Sequence, residues 1–145
     1  MKRVLFPLLL ALSACAAPPL VKEVVVSKDA PAPIGPYSQG VRVGNLLFLS
    51  GQAAIDPKTN QLSTGPIEEQ TAMALDNLKA VLAANHMTMA DVVSTTVYLK
   101  DINEFGKMNA VYAKFFQDKP PARATIQAGR LPRDALIQIS AIAAR

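Results

Sequence analysis

The chain has 145 residues and carries 15 Lys and Arg against 11 Asp and Glu, a formal net charge of +4. The basic residues form no cluster and do not alternate with aromatic residues, so we expect no nucleic-acid partner. One histidine and one cysteine provide neither a set of zinc ligands nor a Ser-His-Asp or Cys-His catalytic group, and no glycine-rich phosphate loop occurs. We therefore expect one domain that uses no metal and no cofactor.

The first residues are typical of a bacterial export signal. Two positive residues precede an apolar run that is too short to span a bilayer as a helix, and Leu12-Ser13-Ala14-Cys15 resembles a lipobox. We expect removal of residues 1–14, acylation of Cys15 as the only contact with a membrane, a tether over residues 15–20, and a domain over residues 21–145. The protein would then be a periplasmic lipoprotein, with the outer membrane as one destination. A plain cleavable signal is the alternative.

The domain begins with three predicted strands. Residues 21–27 are rich in valine, and residues 37–43 and 46–50 also have the composition of strands. Gly44-Asn45 is predicted to form a two-residue hairpin turn because both residue types tolerate positive φ. Residues 29–36 contain three prolines and are predicted to be an extended loop.

A helix is predicted over residues 66–84 and a strand over residues 92–100. Pro66 suits the first helical position, and Thr88 with Asp91 is a weak capping signal between the two elements. Helical spacing predicts a core stripe formed by Thr71, Leu75, Leu78 and Leu82. Alternation along the strand predicts one shared face formed by Val93, Thr95, Val97 and Leu99.

A second helix is predicted over residues 103–116, and strands are predicted over residues 122–128 and 135–144. The order β-β-β-α-β-α-β-β predicts an α+β domain with one mixed sheet and both helices on one face. The other face needs a cover, for which a second copy of the chain is the simplest candidate. The last strand has almost no charge on either face, which predicts a central or interface position.

Arg123 is the first candidate for a ligand-binding residue. It follows Lys119-Pro120-Pro121-Ala122, and no acidic residue lies between Asp118 and Asp134. A guanidinium at the start of a strand, stiffened by two prolines, can hold a carboxylate with two parallel hydrogen bonds. An exposed surface arginine is the alternative.

Five segments resemble the RidA family (reactive intermediate deaminase A, also called YjgF) in order and spacing over residues 21–144. They are Ile34-Gly35-Pro36-Tyr37-Ser38-Gln39-Gly40, Ser50-Gly51-Gln52, Asn103 through Asn109-Ala110-Val111-Tyr112 to Phe115-Phe116, Pro121-Ala122-Arg123 and Arg130-Leu131-Pro132. The resemblance implies a chorismate-mutase-like α+β fold, a trimeric barrel and sites between neighbouring subunits. It also implies hydrolysis of enamines and imines, such as 2-iminobutanoate and 2-iminopropanoate, to a 2-oxo acid and ammonia without metal or cofactor.

The same resemblance assigns roles to individual residues. It implies that Arg123 holds the substrate carboxylate and that Tyr37 packs over the substrate. It implies further that Ser50 and Gly51 line the pocket and that Asn109 helps to shape it. The partners would be small 2-imino or 2-oxo carboxylates and two further copies of this chain.

Two catalytic positions depart from the family pattern. Thr125 stands where well-studied deaminases have cysteine, and Ser140 is taken as the position of their last-strand glutamate. The first change is mild if a backbone carbonyl fills that role, whereas a serine hydroxyl is a poor proton acceptor near neutral pH. A slow deaminase, a non-catalytic carboxylate-binding module and an interaction role for an exposed face all remain open. In a deaminase, Ser140→Glu is predicted to raise the rate.

Overall fold

The structure of the protein is a computed structural model that describes Pro19 and residues 21–145. The predicted export signal and the predicted acylation of Cys15 lie outside the described residues. Within the described part, no helix combines the length and the apolar character that crossing a membrane requires.

Six strands form one mixed sheet, and two α-helices lie on one of its faces. The elements are β1 (Lys22–Val25), β2 (Gly40–Val43), β3 (Leu46–Gln52), α1 (Ile67–Ala84), β4 (Val92–Leu99), α2 (Phe105–Phe115), β5 (Ala122–Gln127) and β6 (Ile137–Ala144). The strand order is β1-β2-β3-β6-β4-β5, and only β4 and β5 run parallel. The predicted α+β architecture is confirmed, and so is the hairpin turn at Gly44-Asn45, where Gly44 has a φ of 60°.

Helix α1 packs on the sheet through the stripe that its sequence predicts. Its buried residues include Thr71, Leu75, Leu78 and Leu82. The three leucines share one core with Leu47 of β3 and Ile139 of β6, and each buried aliphatic side chain contributes about 1.5–3 kcal/mol relative to an exposed one. Hydrophobic burial along this stripe therefore fixes the helix over the centre of the sheet.

A buried amide on α1 also fixes the loop that follows β3. The Asn77 side-chain NH₂ donates to the carbonyl oxygens of Ala53 and Ile55, at 3.0 and 2.9 Å. Because a buried amide without partners is costly, these bonds hold the loop against the helix. This loop forms one wall of the cavity described below.

Strand β6 lies between β3 and β4, which confirms the predicted central position. Ile137 and Ile139 are buried beneath the helices, while Gln138 and Ser140 point to the other face and are half-buried. On that uncovered face Phe48 remains 43% exposed. That a second copy of the chain covers this face stays a prediction.

The start of β4 departs from the predicted alternation. A bulge interrupts the pairing with β6 between Val92 and Ser94. Val92 is buried and Val93 is 48% exposed, so Val93 does not share the buried face of the rest of β4. The prediction for Val93 was wrong because the extra residue in a bulge changes the direction of the side chains on one side of it.

Helix α2 begins two residues later than predicted. Ile102–Glu104 forms a short 3₁₀ turn, and the Asp101 carboxylate accepts a hydrogen bond from the Asn103 backbone N–H at 2.9 Å. Regular α-helix then starts at Phe105. A local side-chain bond of this kind competes with the helical pattern at a helix start.

Candidate functional site

An open cavity of about 310 Å³ lies beside the end of β3 and contains three of the predicted site residues. Tyr37, Ser50 and Gly51 line this cavity, which we call the Tyr37 cavity, together with Gln138 of β6 and Arg133 of the loop before β6. None of its lining residues is acidic. A small concave site with a few convergent polar groups is typical of a ligand-binding pocket, and the absence of acids from this lining suits an anionic ligand.

A bulge in β3 positions Ser50 and Gly51. The pairing with β6 shifts between Leu49 and Gln52, so two residues of β3 stand opposite the single Ser140 of β6. At Gly51 a Cβ atom would collide with the Gln138 side chain, so glycine allows the close approach of β3 to Gln138. Bulges occur next to active sites because they redirect side chains there.

A second set of contacts positions Tyr37. A strand was predicted over residues 37–43, but β2 begins only at Gly40. Gln39 is 2% exposed, and its side chain forms hydrogen bonds with the backbone of the neighbouring loop. Gln39 Oε1 accepts from the Ser27 N–H at 2.6 Å, and Nε2 donates to carbonyl oxygens that include that of Pro31 at 2.8 Å. The Ser50 hydroxyl donates to the Ser38 carbonyl at 2.6 Å, which ties this segment to the bulge.

Gln39 was not recognised from the sequence, and its buried bonds predict a large effect on stability. Replacing it with leucine removes these bonds and leaves several buried backbone groups without a partner, at a cost of about 1–3 kcal/mol for each such group. We expect the free energy of unfolding to fall by about 3 kcal/mol or more, measured by urea denaturation. Gln61→Leu, on an exposed loop, is the matched control, and equal midpoints for the two variants would contradict the prediction.

Arg123 lies on β5, the edge strand three places away from β3 in the sheet. It pairs with Thr95 of β4 and therefore faces the helices, where its guanidinium carbon stands 4.5 Å from the ring centroid of Tyr112 and 5.5 Å from that of Phe105. It is half-buried and forms no ion pair within the described part of the chain. Two cation–π contacts orient the side chain without neutralising its charge, so Arg123 is not a simple solvated arginine.

The aromatic ring beneath Arg123 is electrically neutral at physiological pH. Burial raises the pKa of Tyr112 above its ordinary value, although the hydrogen bond with Thr95 and the charge of Arg123 oppose that rise. The Tyr112 and Thr95 hydroxyl oxygens are 2.7 Å apart. Because burial disfavours the phenolate, Tyr112 offers Arg123 a stacking surface and no counter-charge.

Asn109 lines the same cavity as Arg123 and does not line the cavity that contains Tyr37. Both residues line an open cavity of about 370 Å³ next to α2, which Pro121 also lines. Thr125 lies two residues after Arg123 and, like it, faces the helices, and its buried hydroxyl oxygen has no hydrogen-bond partner within the described residues. Arg123, Asn109 and Thr125 thus form a second group of predicted site residues, which we call the arginine side.

Ser140 does not line the Tyr37 cavity, but it lines an adjoining cavity of about 380 Å³ together with Gly51 and Gln138. It points to the uncovered sheet face and lines a groove with Phe48, Thr96 and Ile142. Gln138, two residues earlier on the same face of β6, is the last-strand side chain that lines the Tyr37 cavity. Gln138 was not predicted as a site residue, because its position depends on the register of β6 against the bulge in β3. The one signal for it in the sequence is Gly51, whose missing side chain leaves room for Gln138.

One chain does not bring the two groups of predicted residues together. The arginine side and the Tyr37 cavity have no lining residue in common. Strands β3 and β5 are three places apart in the sheet, which corresponds to about 14 Å at ordinary strand spacing. A carboxylate held by Arg123 of one chain therefore does not lie over Tyr37 of the same chain.

Neither cavity has the composition of a metal centre. Across Pro19 and residues 21–145, no group of three or more His, Cys, Asp or Glu side chains is placed to hold a metal ion. The polar groups available to a ligand are therefore guanidinium, amide and hydroxyl groups, which bind and orient carboxylates and water.

Residues 27–145 match the Endoribonuclease L-PSP family. A RutC family protein of Saccharolobus solfataricus is 54% identical over 123 residues, which are 85% of this chain and 98% of the relative. The 2-iminobutanoate/2-iminopropanoate deaminase of Escherichia coli K12 is 41% identical over 128 residues, which are 86% of this chain and 99% of the relative. The crystal structure of E. coli TdcF with bound serine matches with a TM-score of 0.82 at 36% identity, covering 85% of this chain and 98% of that one.

These similarities concern the folded domain. The structural match supports the α+β sheet with two helices that the sequence predicts. The family match begins at residue 27, and the relatives are covered almost completely. The first residues of this chain, including Cys15, therefore lie outside the matched region.

Proposed function

Because the chain belongs to the Endoribonuclease L-PSP family, we propose that it is a deaminase of 2-iminobutanoate, 2-iminopropanoate and related enamines and imines. The identity of 41% to the E. coli deaminase supports this activity, as does the resemblance to RidA. The observation that carries the proposal is Arg123, a half-buried guanidinium that stacks on two rings and has no acidic partner among the described residues. A cationic fork of this kind suits the carboxylate of a 2-imino acid.

The proposed reaction requires binding and a positioned water molecule. Water adds to the imine carbon, the C–N bond breaks, ammonia leaves, and the same carbon becomes the carbonyl of the 2-oxo acid. A protonated imine is already electrophilic, so positioning supplies most of the acceleration. Arg123 would hold the carboxylate, while Ser50 and Gln138 offer hydrogen-bonding groups for the water.

We propose that each complete site forms between two copies in a trimer. The separation of the arginine side from the Tyr37 cavity supports a shared site, since two chains are needed to bring Arg123 near Tyr37. The uncovered sheet face, on which Phe48 is 43% exposed, supports association through that face. Closed rotational symmetry would then give three equivalent sites.

The test of the activity is release of ammonia from 2-iminobutanoate that is generated within the assay. We expect a protein-dependent rate that saturates with substrate and that needs no added metal or cofactor. A rate equal to spontaneous hydrolysis, at any protein concentration, would contradict the proposed deaminase.

A second candidate function is binding of small carboxylates without turnover. It is favoured by the lining of the Tyr37 cavity, which contains amides and hydroxyls and no acidic residue that could act as a general base. Calorimetry with 2-oxobutanoate would then detect binding while the ammonia assay detects nothing. We do not propose ribonuclease activity, because the sequence has no basic cluster for an RNA backbone.

We further propose that Cys15 is acylated and holds the domain at the periplasmic side of a membrane. The lipobox-like Leu12-Ser13-Ala14-Cys15 supports this, and so does its position before residue 27, where the family match begins. A cysteine that carries two or more acyl chains, for example as a diacylglyceryl group on its sulfur, would anchor the protein stably.

Replacing Cys15 with serine is expected to abolish incorporation of radiolabelled palmitate and to move the protein out of the membrane fraction. The physical reason is loss of the only thiol in the chain. Ser13→Ala is the matched control, since a small residue at that place still fits a lipobox. Equal labelling of the wild type and Cys15→Ser would contradict the anchor.

A further inference from the structure

Arg133, like Arg123, has no ion-pair partner among the described residues, and it lines the Tyr37 cavity. It lies in the loop before β6 with a φ of 58°, a left-handed conformation that a residue other than glycine rarely adopts. One Nη1 hydrogen of its guanidinium is donated to the Asn60 carbonyl at 2.7 Å. A guanidinium has five N–H donors, so this bond steadies the side chain and leaves most of the donors free.

The acidic residue next to Arg133 does not neutralise it. Asp134 is bound by Arg130, whose Nε and Nη2 donate to the two carboxylate oxygens at 2.9 Å each. These bonds hold the pKa of Asp134 below its ordinary value. In the part of the chain that the structure describes, Arg133 forms no ion pair, and no acidic residue lines its cavity.

We propose that Arg133 binds a second acidic group of the substrate, so that the preferred substrates are imines of 2-oxo dicarboxylic acids. The inference rests on the proposed function, in which Arg123 of a neighbouring copy holds the first carboxylate. Arg133 then determines which imine is preferred by binding the second carboxylate, which lies at the end of the substrate remote from the reacting carbon. It takes no part in the chemistry, in which water replaces the imine nitrogen and ammonia leaves.

The charge of the cavity supports a diacid over a monoacid. Apart from Arg133, the lining offers only uncharged groups such as Gln138 and Ser50. A monoacid would leave the guanidinium without an anion, whereas a diacid would meet it with a charge-assisted hydrogen bond. A volume of about 310 Å³ lies within the range of small-ligand pockets.

The experiment compares two imines, 2-iminopropanoate from alanine and 2-iminobutanedioate from aspartate, each generated by an amino-acid oxidase in the assay. The quantity measured is the ratio of kcat/KM for the diacid to kcat/KM for the monoacid. We expect Arg133→Gln to lower this ratio about tenfold and Arg133→Lys to retain most of it. Arg42→Gln, an exposed arginine that is absent from the cavity lining, is the charge-matched control and should leave the ratio unchanged.

The possible outcomes separate this inference from the proposed function. An unchanged ratio in Arg133→Gln, or an equal loss for both imines, would overturn the role of Arg133 while the deaminase remains. If the wild type hydrolyses neither imine, calorimetry is used to compare the affinities for 2-oxobutanedioate and 2-oxopropanoate. Tighter binding of the diacid that is lost in Arg133→Gln would support the second anion site, and no such difference would overturn it.

Discussion

Replacing Arg123 with alanine is expected to lower kcat/KM for 2-iminobutanoate about 10²- to 10⁴-fold, since two charge-assisted hydrogen bonds of about 1.5–3 kcal/mol each are lost. Arg123→Lys should give an intermediate rate because it keeps the charge and loses the planar fork. The measurement is the initial rate of ammonia release at substrate concentrations well below KM.

The controls separate binding from folding. Arg123 also stacks on Tyr112 and Phe105, so the midpoint of thermal unfolding must be measured for each variant. Arg42→Ala, on an exposed arginine whose Nε donates only to the backbone of Gly44, should behave as the wild type. A folded Arg123→Ala variant with wild-type kcat/KM would remove the basis of the proposed activity.

The same variant tests whether sites are shared between copies. In a trimer with Arg123 and Tyr37 on different chains, a mixture of inactive Arg123→Ala and inactive Tyr37→Ala protomers should regain activity. Random assembly of equal amounts should restore about a quarter of the wild-type sites, because about three in four trimers are mixed and each has one complete site in three. No recovery after co-refolding into stable mixed trimers would show that each site belongs to one chain.

Elements with a strong local pattern were predicted well from the sequence. Helix α1 begins at Ile67, so Pro66 is the extended residue before the helix and not its first helical residue as predicted, whereas the predicted stripe is buried as expected. The central position of β6 followed from the lack of charge on both of its faces. Thr88 and Asp91 do form the predicted cap, with the Thr88 N–H donating to the Asp91 carboxylate at 2.7 Å.

Features that depend on distant contacts were not predicted. Val93 is on the exposed side because of a bulge, and residues 37–39 are outside β2 because the Gln39 side chain bonds to a loop some ten residues away in sequence. The place of Gln138 in the cavity depends on another bulge, in β3. One extra residue in a strand reverses which side chains face a site, and periodicity within one sequence carries no signal for it.

Gln138→Glu is therefore expected to raise the rate of imine hydrolysis more than the Ser140→Glu change that the sequence suggested. Gln138 lines the Tyr37 cavity and Ser140 does not. A carboxylate at position 138 can accept a proton from the attacking water, and general base catalysis contributes about 10²–10⁴-fold when proton transfer limits the rate. Glutamate also has nearly the shape of glutamine, so the contact with Gly51 is preserved.

The measurement is kcat as a function of pH for both variants and the wild type. Gln138→Glu should show an acidic limb that the wild type lacks, because the new carboxyl acts only when it is ionised. It should also raise KM, since a negative charge in the cavity repels a carboxylate substrate, and this repulsion separates an effect on chemistry from one on binding. A faster Ser140→Glu beside an unchanged Gln138→Glu would mean that water is activated next to position 140, further along the same sheet face, and the Tyr37 cavity would lose its assignment as the reacting site.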